Sequence, residues 1–232
     1  IQGGGKVVKN AAGFDYPKLF CGAMGSLGIL VETTFKVFPY PRATYTLELL
    51  HENMDDAIAS MYKITGSNWE PDALELIPEQ SRLLLRLAGN PNALEKRIPM
   101  ILEHFKASES RELNPEEAGA AWRSIQEFEW CPKDSILLKV PITPLRIPAL
   151  EPCLSDLSIP RHYGMAGNIG WLAIPEPDTI EGISGLLSSQ GLTAVSIRGR
   201  NGRHSFGKSP TYSIQAAVKQ ALDPLGKFPD FL

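Results

Sequence analysis

Residues 13–30 have the sequence GFDYPKLFCGAMGSLGIL, which places Gly13, Gly22, Gly25 and Gly28 among large apolar side chains. Glycine lacks a Cβ, so it adopts positive φ angles and lets another molecule or another backbone segment lie directly against the chain. The spacing alone favours a tight turn between strands, with packing against a helix accounting for Gly28. A ligand site lined by bare backbone is the alternative.

The composition is typical of a soluble protein with a core of its own. The chain has 232 residues, a formal net charge of −3 and a pI near 5.9. Such a charge argues against nucleic acid or a membrane surface as the main partner, and no apolar run reaches the roughly 20 residues that span a bilayer. The three cysteines, Cys21, Cys131 and Cys153, are too widely spaced for a CxxC pair, which favours a reducing, cytoplasmic location. Residue 1 is Ile, and we expect the chain to be a C-terminal fragment.

A boundary is predicted where Pro39 and Pro41 stand two residues apart, because two prolines at this spacing oppose both a helix and a central strand. The predicted domains are 1–42, 43–209 and 210–232. After the boundary, alternating and helical hydrophobic patterns follow one another in a regular order. They predict a strand at 44–50, a helix at 54–65, strands at 72–77 and 82–89, a helix at 92–106 and a short strand at 108–113.

The same order of elements is predicted a second time, after a linking helix at 115–128. The elements are a strand at 135–142, a helix at 144–157, strands at 161–167 and 168–175, a helix at 178–191 and a strand at 193–198. Two such units in tandem predict an α+β fold, in which two ferredoxin-like βαββαβ units form one antiparallel sheet with helices on one face.

Residues 202–209, GRHSFGKS, match the pattern of a phosphate-binding loop. That loop requires an apolar strand leading directly into its first glycine, and here the polar residues 198–201 intervene. A solvated basic loop over 198–208 is the favoured interpretation, and nucleotide binding is the weaker alternative. The same loop could hold an anion such as a carboxylate, although solvation explains its charges equally well. The four histidines show no spacing typical of a metal site.

Residues 9–41, KNAAGFDYPKLFCGAMGSLGILVETTFKVFPYP, resemble the second half of the FAD-binding domain in the vanillyl-alcohol-oxidase (PCMH-type) flavoprotein family. The resemblance implies that backbone amides in this segment and a strand at Ile29 and Leu30 approach FAD closely. It departs at Ala23 and Ser26, where Ser and Thr are usual. The FAD-binding residues implied are Gly13, Asp15, Gly22, Ala23, Gly25, Ser26, Gly28, Ile29 and Leu30.

Within that family the chain is most similar to the FAD-binding subunits of bacterial glycolate oxidases. The resemblance implies that residues 43–209 form the cap domain and that residues 210–232 form a helix and tail that return to the FAD domain. In the tail, VKQALDPLGKFPDF, four residues match the family's closing motif: Asp223, Pro224, Gly226 and Phe228. The segment with the main pyrophosphate contacts is expected before Ile1, so we expect the isolated chain to hold little FAD and to be inactive.

Substrate-oxidising relatives carry His-x-Gly-Asp-Gly-Asn-x-His in the cap, and the matching residues 163–170 are YGMAGNIG. Tyr163, Ala166 and Gly170 replace the two histidines and the aspartate, so no metal site and no catalytic residue is implied. The implied role is a flavin-carrying or structural subunit beside a catalytic flavin-oxidase subunit and an iron–sulfur subunit, peripheral at the inner membrane through these partners. An assembly module without flavin is the alternative.

Overall fold

The structure, a computed structural model, describes residues 3–5, 13–105, 109–175, 179–199, 204–207 and 209–230. The chain divides into two compact units. We call them the terminal unit, Ile1–Pro39 with Ser209–Leu232, and the sheet unit, Tyr40–Lys208. Within the described ranges, no helix combines the length and the apolar character needed to cross a membrane.

The terminal unit contains two helices among its described residues, α1 (Tyr16–Phe20) and α7 (Tyr212–Leu222). Neither helix contains a fully buried residue. Helix α1 was not predicted, because Pro17 and the glycines around it resemble a turn. Proline is tolerated there because it occupies the first turn of the helix, where its missing N–H is not needed.

The first half of the sheet unit has the predicted order of elements, and each helix begins at an asparagine. The side chain of Asn53 accepts a hydrogen bond from the Asp56 N–H at 2.9 Å, and Asn90 caps the next helix in the same way. The strands lie in the order β4-β1-β3-β2. The elements are β1 (Ala43–Leu50), α2 (Met54–Thr65), β2 (Ala73–Ile77), β3 (Arg82–Gly89), α3 (Pro91–His104) and β4 (Glu109–Leu113).

The second half repeats this arrangement after the linking helix α4 (Pro115–Gln126), which begins with a capping box between Asn114 and Glu117. Its strands lie in the order β6-β7-β5-β8, which is the first order reversed. The elements are β5 (Ile136–Pro141), α5 (Ile147–Asp156), β6 (Arg161–Gly164), β7 (Ile169–Ile174), α6 (Thr179–Ser189) and β8 (Thr193–Arg198).

One continuous antiparallel sheet joins the halves, because β2 pairs with β6 at Leu76 and Tyr163. The predicted α+β fold with its large antiparallel sheet is confirmed. The prediction of a solvated basic loop over 198–208 is wrong for part of its length: β9 (Ser205–Gly207) pairs with β8, and Phe206 is fully buried. The strand is stabilised because the Phe206 side chain is buried in the hydrophobic core. The rest of the proposed phosphate loop, residues 202, 203 and 208, lies outside the described residues.

Alternation along the strands creates two different sheet faces. One face carries the main core, formed by fully buried leucines such as Leu47, Leu83 and Leu85 beneath α2, α3, α5 and α6. On the other face, Trp122 of α4 donates from Nε1 to Thr46 Oγ1 at 2.9 Å. A smaller cluster of Cys131, Leu137 and Ala173 packs there with three aromatic rings, Phe128, Trp130 and Trp171.

Candidate functional site

Asp15, one of the predicted FAD-binding residues, has a local structural role at the start of α1. Its Oδ1 accepts a hydrogen bond from the Lys18 N–H at 3.1 Å and so caps α1. Its Oδ2 lies 3.6 Å from Lys18 Nζ, and the carboxylate is 60% exposed. The carboxylate is therefore fixed in position and still has oxygen lone pairs for another donor.

Gly13, Gly22 and Gly25 share a backbone conformation that other residues adopt at a cost. Their φ angles are +86°, +81° and +79°, and a Cβ added at any of them would meet nothing within 4 Å. No neighbouring atom in the described part of the chain would clash with a side chain at these positions. They are glycine because the turn requires a positive φ angle. The result is bare backbone that faces open space.

Gly28 has a different reason for being glycine. A Cβ added at Gly28 would lie 3.1 Å from the ring of Phe20 in α1, closer than ordinary contact, and its φ angle is +159°. The backbone thus packs directly on an aromatic ring of the helix. Gly28 therefore fixes the glycine segment to α1.

Ala23 and Ser26 close a turn between the glycines. The backbone N–H and the hydroxyl of Ser26 both donate to the Ala23 carbonyl, at 2.9 and 2.7 Å. The Ser26 hydroxyl proton is therefore engaged inside the chain, and only the oxygen lone pairs remain for an external donor.

The expected strand at Ile29 and Leu30 is not formed. Residues 28–41 make no strand ladder, because no described segment lies beside them to supply the partner hydrogen bonds. Ile29 is 76% exposed and Leu30 60% exposed. The same segment exposes Val31, Phe35, Val37 and Phe38.

Lys219 of α7 connects the glycine turn to the C-terminal tail and was not predicted from the sequence. Its Nζ is 2.8 Å from the Ser26 carbonyl, 2.6 Å from Asp223 Oδ2, and 3.0 and 3.2 Å from the carbonyls of Phe228 and Pro229. The side chain is only 13% exposed. We call these contacts the Lys219 hub. The available sequence signal was the i, i+4 spacing of Lys219 and Asp223.

Asp223, matched by the tail resemblance, is the carboxylate of this hub. Besides Lys219 it accepts from the backbone N–H groups of Lys227 at 2.7 Å and Phe228 at 3.0 Å. The hydrogen bonds from Lys219 and from these amides lower the pKa of Asp223 to about 2. Asp223 therefore stays ionised over the whole physiological range.

Tyr163 and Gly170, which the resemblance matches to the two cap histidines, lie in the sheet unit and pack closely against each other there. Tyr163 is fully buried and its hydroxyl donates to Glu151 Oε1 at 2.5 Å. Burial and the neighbouring Glu151 carboxylate raise the pKa of Tyr163 well above its usual value. A Cβ at Gly170 would lie 3.5 Å from the Tyr163 ring. Among the described residues, no group of three His, Cys, Asp or Glu side chains could hold a metal ion.

The structure gives little support to the nucleotide alternative at 202–209. The Gly207 N–H, which a phosphate cradle would need, donates instead to Ser184 Oγ at 3.2 Å. Phe206 is buried beside it in β9. Residues 205–207 of this segment are thus part of the sheet.

A solved structure and several curated proteins are similar to this chain. A solved structure of alkyldihydroxyacetonephosphate synthase matches with a TM-score of 0.57 at 12% identity, over 94% of this chain and 50% of that one, which shows a shared fold. The sequence relatives include FAD-linked oxidoreductases and D-lactate dehydrogenases. No family model matches the chain.

Two relatives are components of one kind of enzyme. Glycolate oxidase subunit GlcE of Escherichia coli is 26% identical over 235 residues, which cover 98% of this chain and 59% of GlcE. Glycolate oxidase subunit GlcD of Bacillus subtilis is 36% identical over 85 residues, or 37% of this chain and 18% of GlcD. The chain thus spans less than two thirds of either relative. The resemblance to glycolate oxidase subunits and FAD-linked oxidases is confirmed.

Proposed function

We propose that this chain is the FAD-binding part of a subunit in a flavin-dependent 2-hydroxy-acid oxidoreductase of the glycolate oxidase type. The observation that carries the proposal is the bare backbone at Gly22 and Gly25, which faces open space in a turn held by the Lys219 hub. Similarity to FAD-linked oxidoreductases supports the choice of ligand.

The residues of the glycine segment fit a flat, polar-edged cofactor such as FAD. Backbone without Cβ atoms lets a ring system approach main-chain N–H groups closely. The exposed aliphatic side chains of Ile29 and Leu30 supply apolar surface, and Asp15 and Ser26 supply acceptors. Bound FAD would take up the two electrons released when a hydroxy acid is oxidised. In this proposal the chain binds and orients the cofactor and keeps water from it.

We propose that the metal-assisted oxidation of substrate takes place on a partner flavin-oxidase subunit, with an iron–sulfur subunit as a further partner. The packing at Tyr163 supports this division, because a buried phenol bound to Glu151 occupies one of the positions where the sequence resemblance leads us to expect a metal-binding histidine. That two relatives are named as subunits of glycolate oxidase supports an assembly of several chains.

The alternative is an assembly module of the same complex that holds no flavin. The internal hydrogen bonds of the proposed site favour it, since the Ser26 hydroxyl donates to Ala23 and the Asp15 carboxylate caps α1. Each of these groups is already satisfied in part without a ligand.

The test is to purify the intact protein with its partners, release the cofactor with acid and quantify it by chromatography. We expect about one FAD for each copy of this chain in addition to that of the partner. The protein without its partners should not oxidise glycolate or D-lactate. Absence of FAD from this chain would establish the assembly alternative, and metal-dependent turnover by the chain without its partners would contradict the division of roles.

A further inference from the structure

His51 stands where β1 ends and the chain turns towards α2. The residue is buried, with only 7% of its surface exposed. The ring Nε2 lies 2.8 Å from the hydroxyl of Ser60 in α2, which is buried as well. The backbone N–H of His51 donates to the Ser81 carbonyl at 3.1 Å. His51 therefore connects the end of the strand to α2 from inside the protein.

The surroundings of His51 suit the neutral imidazole and not the charged one. A protonated imidazole has two N–H donors and needs two acceptors. The Ser60 hydroxyl can serve Nε2, but Nδ1 is a buried atom without a hydrogen-bond partner in the described part of the chain. Burial lowers the pKa of His51 below its usual 6.5. The Ser81 carbonyl, the Asp56 carboxylate and the Leu49 carbonyl act in the opposite direction and offset the effect of burial only in part.

Asp56, in the first turn of α2, is the charged group that acts on the His51 ring. Its Oδ2 accepts a hydrogen bond from Asn53 Nδ2 at 2.8 Å, and the Asn53 side chain caps the helix through the Asp56 N–H. A charged His51 would therefore compete with Asn53 for this carboxylate. The other charged side chains on α2 and on the segments next to His51 are Glu52, Asp55, Lys63, Glu79 and Arg82, of which Arg82 is paired with Glu48.

Helix α2 also supports the turn between β6 and β7. A Cβ at Gly167 would lie 2.8 Å from Met61 Cε, so Met61 of α2 packs directly on the backbone of the turn. The Ala166 N–H donates to the Leu74 carbonyl at 2.8 Å. Met165, Ala166 and Gly167 have φ angles of +52°, +55° and +79°, a run that is costly for residues with a side chain. A displacement of α2 would remove part of the packing that holds this turn.

We propose that His51 is an acid-sensitive switch: protonation of its ring releases the start of α2 from the end of β1 and loosens the β6–β7 turn. The charged ring leaves a buried position in which one N–H has no acceptor, and it pairs with Asp56 in contact with water. This pairing takes Asp56 from Asn53 and weakens the N-terminal cap of α2. The proposal concerns the sheet unit and does not depend on flavin binding.

The direction of the pKa shift defines the pH range of the switch. A histidine whose pKa is lowered by folding contributes its full stabilisation above the unfolded value of 6.5, and that contribution is lost as the pH falls from 6.5 towards the folded-state value. Within this range the population of the open form should rise by up to about tenfold for each pH unit. Below the folded-state value the effect should level off.

Amide hydrogen exchange of the intact protein, corrected for intrinsic rates, tests the switch between roughly pH 7 and pH 5. The reporters are the N–H of Ala57, which donates to the Asn53 carbonyl, and the N–H of Ala166 in the β6–β7 turn. Both should exchange faster on acidification of the unmodified protein. In His51→Gln, whose side chain is polar but does not titrate, this acceleration should be absent.

Matched variants and a direct titration separate the switch from a general loss of stability. Asp56→Asn removes the carboxylate that would pair with the charged ring, so the acceleration should move to lower pH, whereas Asp55→Asn should leave it unchanged. In the unmodified protein, the imidazole NMR signal of His51 should titrate below 6.5. A His51 titration at or above 6.5, exchange that stays constant over the tested range, or equal acceleration in His51→Gln would overturn the proposal.

Discussion

The two units of this protein are stabilised in opposite ways. The sheet unit has a continuous core of fully buried leucines and isoleucines beneath four helices. In the described part of the terminal unit, Asp223 is the only buried residue, and it is held by Lys219. At the same time Ile29, Phe35 and Phe38 are more than 75% exposed.

The difference shows that the sheet unit buries its own apolar side chains, whereas the described part of the terminal unit leaves several of them exposed. Apolar burial stabilises the sheet unit by about 1.5–3 kcal/mol for each fully buried leucine. The terminal unit keeps its glycine turn in place with one ammonium group and leaves its apolar side chains uncovered. A surface of that kind is suited to holding a ligand or a partner.

Truncation of one apolar side chain should lower the stability greatly in the sheet unit and hardly at all in the terminal unit. Leu85→Ala removes a fully buried side chain and should lower the free energy of unfolding by about 2–5 kcal/mol. Ile29→Ala should change it by less than about 0.5 kcal/mol, because Ile29 is 76% exposed. All four tryptophans lie in the sheet unit, so urea unfolding followed by tryptophan emission reports on that unit. Equal losses of stability would refute the contrast.

Removal of the Lys219 ammonium should affect only the terminal unit. Lys219→Met keeps the length of the side chain but leaves Asp223 and three carbonyls without their shared donor. We expect bound FAD in the intact protein to fall at least tenfold, while the tryptophan unfolding curve stays unchanged. Lys63→Met is the control, since Lys63 is an exposed lysine in the last turn of α2. Normal FAD content in Lys219→Met would show that the hub does not position the glycine turn.

Acid should loosen the Lys219 hub within a defined range. A carboxyl group whose pKa is lowered by folding stabilises the folded state above its unfolded value of 3.8, and that contribution is lost as the pH falls towards about 2. Amide exchange at Lys227 and Phe228, corrected for intrinsic rates, should stay constant down to about pH 4 and accelerate below it. In Asp223→Asn the acceleration should be absent, and a transition near neutral pH would contradict the assignment.

Much of the sheet unit could be predicted from the sequence, because its signals are local. Alternation in β1, the helical periodicity of α2 and the repeated order of elements were enough to predict two βαββαβ units. The strand β9 could not be predicted, since Phe206 is isolated among polar residues and glycine. Its burial depends on contacts with distant parts of the chain.

The candidate site was less predictable. The resemblance indicated the glycines, but no local pattern showed that Gly28 packs on Phe20 or that Lys219 reaches Ser26, 193 residues away along the chain. The strand expected at Ile29 requires a neighbouring strand, which no described segment supplies. Contacts between the two ends of a chain leave little trace in a single sequence.

Two glycines with similar backbone conformations separate the effect of backbone strain from the loss of FAD binding. Gly25 and Gly191 have φ angles of +79° and +64°, and a Cβ at either would meet nothing within 4 Å. Each alanine variant should therefore lose about 1 kcal/mol from backbone strain alone. We predict that Gly25→Ala loses at least nine tenths of the FAD bound by the intact protein, whereas Gly191→Ala retains it. Full FAD content in Gly25→Ala would contradict the claim that bare backbone at this turn holds the flavin.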